Sequence, residues 1–248
     1  MDRICSRRLL LAAALGLAGS ATGQITSTFD ADLEGWMVYN DGAITYDAAI
    51  GNPAGSARIS DFGSGTYFGF LAPAAYQGDK SSYYGGTLSF DIQTNNPTTS
   101  GANQPDVEIN NGGLRIVRDF PAPADSAWIH RSVNLDVSDD WRVNSVSGAV
   151  ATEAEIRAVL ANITALRIRG EFSTMTSDVT HLDNVSMTPG SQCLADTNGD
   201  GVVSPADFSA WVAAFNAQAP ECDQNGDGVC SPADFSAWVA NFNAGCGG

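Results

Sequence analysis

Oxygen-bearing side chains recur at one fixed spacing twice near the C-terminus of this 248-residue chain. Each copy occupies twelve residues, with such side chains at positions 1, 3, 5, 9 and 12 and a glycine at position 6. Calcium takes six or more oxygen ligands, and the glycine allows the sharp turn that brings them together. We therefore predict that two Ca²⁺ ions are the cofactors. The predicted ligands are Asp196, Asn198, Asp200, Val202 (carbonyl), Ser204 and Asp207 in the first loop, and Asp223, Asn225, Asp227, Val229 (carbonyl), Ser231 and Asp234 in the second.

Negative charge is concentrated in the same region. Residues 191–248 contain seven acidic residues, six of them in the two loops, and no Lys, Arg or His. Without a cation these carboxylates repel one another at short range, because no basic side chain in the segment neutralises them. We therefore predict that calcium binding supplies folding free energy to this part of the chain.

A helix is predicted after each loop. A serine followed by a proline is typical of the first residues of a helix, and this pair stands at 204–205 and again at 231–232. Each helix has an apolar stripe at helical spacing, and we expect the two stripes to pack on each other. No helix is predicted before either loop, so an opening motion of EF-hand type is not expected. The stripes are Phe208, Trp211, Val212 and Phe215, and Phe235, Trp238, Val239 and Phe242.

Four cysteines follow the N-terminal segment: Cys193, Cys222, Cys230 and Cys246. An even number of cysteines in an exported chain indicates disulfides, and three pairings are possible. The favoured pairing is Cys193–Cys246, which closes the ends of the module, with Cys222–Cys230 inside it. Zinc is the alternative, although the spacing lacks the paired CxxC motifs of zinc sites.

The first 23 residues have the pattern of a secretory signal peptide. Arg3, Arg7 and Arg8 precede an apolar run over residues 9–18, and small residues follow as far as Gly23. The run is too short to span a bilayer, and no later segment is apolar enough to be transmembrane. The chain is expected to be secreted, and to be extracellular or held at the cell surface.

Acidic residues outnumber basic ones throughout the chain. The sequence has 12 Lys and Arg against 28 Asp and Glu, and removal of residues 1–23 leaves 9 against 27, a net charge near −18. Such a surface repels nucleic acids and anionic lipids, so neither class of partner is expected.

Residues 25–187 are predicted to form an antiparallel β-sandwich. Apolar and polar residues alternate over 87–94, 106–109, 114–118, 132–137 and 165–169, and clusters of Gly, Asn, Pro and Asp separate these segments. One helix is predicted over 152–163, where Thr152 and Glu155 fit a capping box. Residues 188–192 are a linker, and the calcium module occupies 193–248.

Few side chains of the sandwich indicate chemistry. The sequence has no HExxH, GxSxG, GxGxxG or P-loop motif, so no catalytic residue is assigned. Trp36, Trp128 and Trp141 are candidates for sugar stacking, but burial is the favoured expectation for each. A further calcium site at Asp30, Asp32 and Asp183 is a less favoured alternative. His130 and His181 are assigned ordinary structural roles.

Residues 193–246 resemble a type I dockerin, especially the variant of planctomycete-type bacteria with a cysteine before the first loop and the ending Asn243-Ala-Gly-Cys246. The resemblance implies a calcium-dependent module that docks onto a cohesin-like protein partner, and it also favours the Cys193–Cys246 disulfide. Loop positions 10 and 11, which contact cohesin in that family, are Pro-Ala here (205–206 and 232–233) rather than hydroxyl pairs. This departure points away from a standard cohesin.

The larger part of the chain resembles the laminin IV type A (laminin B) domain. The resemblance covers about residues 29–187 and rests on segments 67–73, 76–90, 106–114 and 159–169, together with Trp128 and His181-Leu-Asp-Asn-Val185. It implies a jelly-roll β-sandwich like those of carbohydrate-binding modules, without catalysis.

Three functions are consistent with these patterns. The leading hypothesis is an exported, non-catalytic binding or adhesion protein, whose sandwich recognises an extracellular ligand such as a glycan and whose calcium module attaches it to a surface or scaffold partner. The alternatives are an accessory enzyme of polysaccharide degradation tethered by its dockerin, and a structural component of an extracellular matrix.

Overall fold

The computed structural model describes residues 23–62, 67–97, 104–173, 178–190, 193–199 and 202–245. The predicted signal peptide, apart from Gly23, lies outside these ranges. So do Asp200 and Gly201 of the first predicted calcium loop, and Cys246.

Two six-stranded antiparallel sheets form the larger part of the described chain. In the first sheet the strand order is β3-β4-β12-β6-β9, and β1 pairs with the C-terminal part of β12. Its strands are β1 (Ile25–Ser27), β3 (Ala43–Gly51), β4 (Ala54–Ser60), β6 (Thr87–Thr94), β9 (Ile129–Asn134) and β12 (Val179–Thr188).

The second sheet has the order β10-β8-β7-β11-β5-β2. Its strands are β2 (Met37–Asn40), β5 (Phe68–Leu71), β7 (Val107–Asn110), β8 (Arg115–Arg118), β10 (Arg142–Val143) and β11 (Ala165–Arg169). Alternate residues of both sheets face a shared core, as Leu88, Phe90 and Ile92 of β6 do. The predicted antiparallel sandwich is therefore confirmed.

Two tryptophans anchor this core. Trp36 is 2% exposed and donates its indole N–H to Ser27 Oγ at 3.0 Å. Trp141 is fully buried and donates to the Asn134 carbonyl at 2.7 Å. Each indole thus buries a large apolar area with its only polar group satisfied, which makes burial favourable.

The predicted helix of the sandwich is α1 (Glu153–Leu160), and the capping box of Thr152 and Glu155 is formed. Its apolar side chains are buried in the core. The helix ends at Leu160 rather than at Ile163, because Ile163 exchanges two backbone hydrogen bonds of 2.8 Å with Gly78 instead.

Two helices of thirteen residues, α2 (Pro205–Ala217) and α3 (Pro232–Ala244), follow the acidic loops. Trp211 and Trp238 are each 5% exposed, and they contact one another and the neighbouring phenylalanines. The two stripes pack on each other, as expected, while half of their residues stay partly exposed, since two short helices cannot cover every side of the stripes. The exposed stripe residues, between 37% and 45% accessible, are Phe208, Val212, Phe235 and Val239.

Within the described ranges, no helix is long and apolar enough to cross a membrane.

Candidate functional site

The second acidic loop curls around its first aspartate. Asp223 Oδ1 accepts hydrogen bonds from the backbone N–H of Gly226 at 2.9 Å and of Asp227 at 3.2 Å, and Oδ2 accepts one from Gly228 at 2.8 Å. Gly226 and Gly228 both have positive φ, at 73° and 83°, a conformation that residues with a Cβ rarely adopt. The two glycines therefore permit the tight turn that the sequence predicted at this point.

The last aspartate of the loop ties its end to its beginning. Asp234 Oδ1 accepts from the N–H of Gln224 at 3.0 Å and of Asn225 at 3.2 Å, while Oδ2 accepts from the N–H of Ser231 at 2.7 Å. The Asp234 residue is fully buried by these contacts. It is also the third residue of α3 and completes a capping box with Ser231.

The middle of the loop is ordered by its own side chains. Asn225 Oδ1 accepts from the Asp227 N–H at 2.9 Å, and Asp227 Oδ1 accepts from the Val229 N–H at 2.8 Å. These turns fix the direction of the oxygens at positions 3 and 5, which are two of the predicted ligand positions.

The first loop repeats the closing contacts. Asp207 is fully buried, accepts from the N–H of Asn198 at 3.1 Å and of Ser204 at 2.7 Å, and forms a capping box with Ser204. Burial alone would raise the pKa of Asp207, but the hydrogen bonds from Ser204 and Asn198 outweigh it and the pKa is lowered. The pKa of Asp234 is lowered chiefly by the N–H of Ser231. Both carboxylates are thus held ionised.

Oxygen atoms dominate both loops, as a hard cation requires. Asp223 Oδ2 and both Asp227 oxygens accept one hydrogen bond each and keep a lone pair for a metal, whereas Asp223 Oδ1 and both Asp234 oxygens already accept two, so a bound ion would replace some of these contacts. Acidic side chains alone do not complete a site: among the described residues no three His, Cys, Asp or Glu side chains converge closely enough to hold a metal. The asparagine, serine and carbonyl ligands are therefore needed, and the predicted calcium sets stay a prediction.

A disulfide closes the second loop. Cys222 and Cys230 are bonded, with their Cα atoms 5.6 Å apart, which confirms this predicted pair. Cys222 is fully buried, and its carbonyl accepts the indole N–H of Trp211 at 3.1 Å. The bridge thus links the loop to the aromatic cluster of the helices. The Cys193–Cys246 pair stays a prediction, because Cys246 is outside the described residues.

The three tryptophan candidates of the sandwich differ in how deeply they are buried. Trp36 and Trp141 are in the core, as expected, whereas Trp128 is only half-buried. Trp128 lies on the outer face of the first sheet, with its ring edge-on to His181 at a centroid distance of 6.3 Å. The expectation of burial was therefore wrong for Trp128, because this ring packs on the solvent side of the sheet.

Both histidines lie on this same outer face, although 51 positions separate them in sequence. His130 pairs across strands with Asp91, and its Nδ1 is 2.7 Å from Asp91 Oδ1. His181 Nδ1 is 3.0 Å from Ser56 Oγ. Burial lowers the pKa of His181, so its ring is neutral near pH 7.

Asp91 and Asp183 lie directly opposite each other on neighbouring strands. Asn52 bridges them: its backbone N–H donates to Asp183 Oδ2 at 2.6 Å, and its side-chain amide donates to Asp91 Oδ2 at 3.1 Å. Burial raises the pKa of Asp183, and hydrogen bonds from Asn52 and Asn184 offset part of that rise. The pair therefore fastens the turn of the β3–β4 hairpin to β12 and β6.

The alternative calcium site on the sandwich is not formed. Asp32 accepts the N–H of Glu34 at 2.6 Å and Asp30 accepts the hydroxyl of Thr28 at 2.8 Å, so both order their own turn. Asp183 is used at the hairpin, and in the described part of the chain these three aspartates do not make a metal cluster.

Asp106 was not singled out from the sequence. It is 8% exposed, accepts the Phe120 N–H at 2.6 Å, and its Oδ1 is 3.9 Å from the Arg169 guanidinium. Burial raises the pKa of Asp106 to about 7. The only sequence signal was an acid immediately before a strand whose first three residues are buried. The residues around it leave a cavity with room for about one water molecule, lined by Phe90, Ile92, Asp106, Phe120, Arg131, Arg169 and Phe172.

Known proteins similar to this chain include two laminin subunits. Laminin subunit gamma-2 of Homo sapiens is 30% identical over 181 residues, which are 66% of this chain and 13% of that protein. Laminin subunit gamma-1 of Xenopus tropicalis is 25% identical over 165 residues, 62% of this chain and 10% of that protein. The chain thus spans about a tenth of the length of these relatives.

Solved structures similar to this chain include the L4b domain of human laminin alpha-2, with a TM-score of 0.48 and 17% identity over 58% of this chain and 84% of that one. The family 11 carbohydrate-binding module of the cellulase Lic26A-Cel5E of Clostridium thermocellum has a TM-score of 0.44 and 17% identity, over 68% and 96%. The model of the family Laminin B (Domain IV) matches residues 69–202, more than half of the sequence, and the chain belongs to this family.

Proposed function

We propose that this protein is an exported, non-catalytic binding protein. Its laminin B sandwich recognises an extracellular ligand, and its C-terminal module, folded around two calcium ions, attaches it to a surface or scaffold partner. Membership of the laminin B family supports the first half of this proposal. The twin acidic loops support the second half, and the disulfide Cys222–Cys230 is consistent with export.

One observation carries the calcium proposal. In both loops the twelfth residue, Asp207 or Asp234, is a fully buried aspartate that closes the loop and caps the following helix. Hydrogen bonds from backbone N–H groups keep both carboxylates ionised, so each loop retains its negative charge in a segment without any basic side chain, and the repulsion among the loop carboxylates is left for a positive charge to offset. When bound, calcium would supply that positive charge, held by the two predicted ligand sets.

The two helices offer a surface for the partner. Their exposed apolar residues are repeated in both units, and Phe208 of one unit lies 5.9 Å from Phe235 of the other, measured between ring centroids. The patch is therefore continuous across the two helices. A patch of this kind supports docking of a protein partner, and we propose a cohesin-like one from the dockerin resemblance.

The carboxylates of the sandwich support a binding role over a hydrolytic one. Glycoside hydrolysis uses a pair of carboxyl groups that flank the substrate bond. The opposed pair Asp91 and Asp183 is 6% and 1% exposed, and Asn52 and His130 occupy its oxygens. No substrate bond can lie between these groups without displacement of the hairpin.

The attachment is tested with the exported chain in calcium and in EDTA. In calcium, limited proteolysis should spare residues 202–245, and immobilised protein should retain a partner from an extract of the producing organism. EDTA should expose this segment to cleavage and release the partner, while the sandwich stays resistant.

A matched pair of variants sharpens the test. Asp227→Asn removes a predicted ligand charge, whereas Glu221→Gln removes an acid of the same module outside the loops. The first variant should need more calcium for protection and the second should behave as the native chain. Equal proteolysis in calcium and EDTA would show that calcium does not hold the module together.

A further inference from the structure

Arg58 is the one cation without a partner in the described part of the chain. The sequence has 12 Lys and Arg residues, three of which precede residue 23, and the structure describes the other nine. Arg58 lies in β4, is half-buried, and its guanidinium makes no hydrogen bond, ion pair or ring contact with any described residue. The other eight bind an acid or a carbonyl: Lys80 on Gln77, Arg115 and Arg167 on Glu108, Arg118 on Asp139, Arg131 on Pro121, Arg142 on Asp140, Arg157 on Glu153 and Arg169 on Asp106.

The strand register places Arg58 at one end of a row across the outer face of the first sheet. Arg58 pairs with His181 of β12, and His181 pairs with Gln93 of β6. Trp128 comes next, because Ile129 pairs with Ile92 and the Trp128 ring contacts His181. Three strand spacings, about 14 Å, separate the Arg58 and Trp128 backbones. We call Arg58, His181, Gln93 and Trp128 the outer row.

Each member of the outer row has binding capacity that the fold does not use. His181 is 5% exposed and bonds Ser56 through Nδ1, and the structure gives its Nε2 no partner among the described residues. Gln93 donates its amide to the Ser126 carbonyl at 3.0 Å, which leaves its side-chain oxygen as an acceptor. Trp128 exposes part of an aromatic ring, and Arg58 has a free fork of N–H donors.

We propose that the outer row binds an acidic oligosaccharide, with a uronate carboxylate on Arg58, a sugar ring on Trp128, and hydroxyl groups on His181 and Gln93. The planar guanidinium fork matches a carboxylate in two parallel hydrogen bonds. The ring and the two neutral hydrogen-bonding groups favour a sugar over an acidic peptide. This inference rests on the proposed function and assigns its ligand and its surface.

The charge around Arg58 is compatible with an anion despite the acidity of the chain. The carboxylate of Asp47 interacts with the neighbouring His181 but is already hydrogen-bonded to the N–H of Ala49 at 3.0 Å and of Ile50 at 3.2 Å. Distant surface charges are screened within about 8 Å at physiological ionic strength. Asp47 therefore keeps its negative charge but makes no ion pair with Arg58, so the guanidinium fork stays available to an anion.

Calorimetric titration of the exported chain, at one fixed calcium concentration, tests the proposal. Hexagalacturonate should bind, and added NaCl should weaken the binding. Arg58→Gln and Trp128→Ala should each reduce the affinity, the first by about tenfold or more, as expected for a lost hydrogen bond to a charged group. Arg115→Gln is the control, because it removes the same charge from the outer face of the second sheet and should leave the affinity unchanged.

Several results would overturn the assignment. They are no binding of hexagalacturonate, equal binding of the neutral cellohexaose or of hexa-aspartate, or an affinity that Arg58→Gln does not change. If Trp128→Ala fails to fold, the affinity of Arg58→Gln for hexagalacturonate alone decides whether the assignment holds. If hexagalacturonate does not bind but the sandwich retains another ligand from an extract, the proposed function stands and the outer row is not its site.

Discussion

Replacement of Asp106 by Asn tests how the free energy of unfolding depends on the charge of this buried carboxyl group. Asp106 lies beside Phe120, Arg131 and Arg169 and accepts the Phe120 N–H at 2.6 Å. Burial raises its pKa to about 7, against an ordinary value of about 3.9 in an unfolded chain. Asn keeps the size and an acceptor oxygen but cannot ionise, so the variant isolates the cost of the charge.

The sign follows from proton binding. Below about pH 4 the Asp106 carboxyl is protonated in both states and costs nothing. Between about pH 4 and 7 the folded state binds more protons than the unfolded state, so the free energy of unfolding falls as pH rises. Above pH 7 the full cost, on the order of 4 kcal/mol for a rise of about three pKa units, weighs on the native protein.

The difference in the free energy of unfolding between the two proteins is measured by urea unfolding at several pH values and constant ionic strength. Far-ultraviolet circular dichroism monitors the unfolding. The stability of Asp106→Asn relative to the native chain should increase by on the order of 4 kcal/mol between pH 4 and pH 8. Titrating groups that do not interact with Asp106 cancel in the comparison, because both proteins contain them.

Asp79→Asn is the control with the opposite sign. Hydrogen bonds from the Ser81 hydroxyl and N–H lower the pKa of Asp79, so its ionised form stabilises the native state and its loss should matter more at neutral pH than in acid. A pH-independent difference for Asp106→Asn, or one with the sign of the control, would refute the burial argument.

Three further substitutions probe the packing. Trp238→Ala should cost about 3–5 kcal/mol and expose the C-terminal module to proteolysis, while the urea midpoint of the sandwich stays unchanged. Thr152→Ala should lower the free energy of unfolding of the sandwich by about 1 kcal/mol, because it removes the N-cap of α1. Gly86→Ala places a Cβ 2.0 Å from the Thr188 carbonyl oxygen and should cost about 3 kcal/mol or more. Gly85→Ala, whose Cβ would meet only the Gly190 Cα at 4.0 Å but whose φ is 75°, should cost about 1 kcal/mol, and equal costs would contradict the role of the close approach at Gly86.

Strand positions were predictable wherever apolar residues alternate strictly. The predicted segments 87–94 and 165–169 match β6 and β11 in full, 106–109 is shifted by one residue from β7, and 114–118 is one residue longer than β8. The segment at 132–137 was misplaced, since β9 runs from Ile129 to Asn134. Arg131 is the reason, because it occupies a core-facing position of β9, opposite Phe90, with its guanidinium carbon 5.2 Å from the centroid of the Phe120 ring. A polar residue therefore stands where strict alternation would require an apolar one, and the sequence pattern does not show the start of the strand.

The outer row was beyond sequence reasoning for a different reason. Arg58, Gln93 and His181 come from three strands and Trp128 immediately precedes a fourth, and only the pairing of those strands makes them neighbours. Cross-strand register is set by the whole sheet, so a pattern along one strand contains no information about it. The acidic loops were predictable because their predicted ligands come from consecutive residues of one segment.

The two parts of the chain should therefore differ in how they depend on calcium. The sandwich has a continuous apolar core between its sheets, so we expect it to fold without an ion. The buried apolar cluster of the C-terminal module consists, among the described residues, of Trp211, Cys222 and Trp238. A module of this size with so small a core depends on disulfides or bound metal to offset its loss of conformational entropy. We therefore expect calcium to control attachment while leaving ligand recognition intact, so that loss of the ion would release the protein with its ligand still bound.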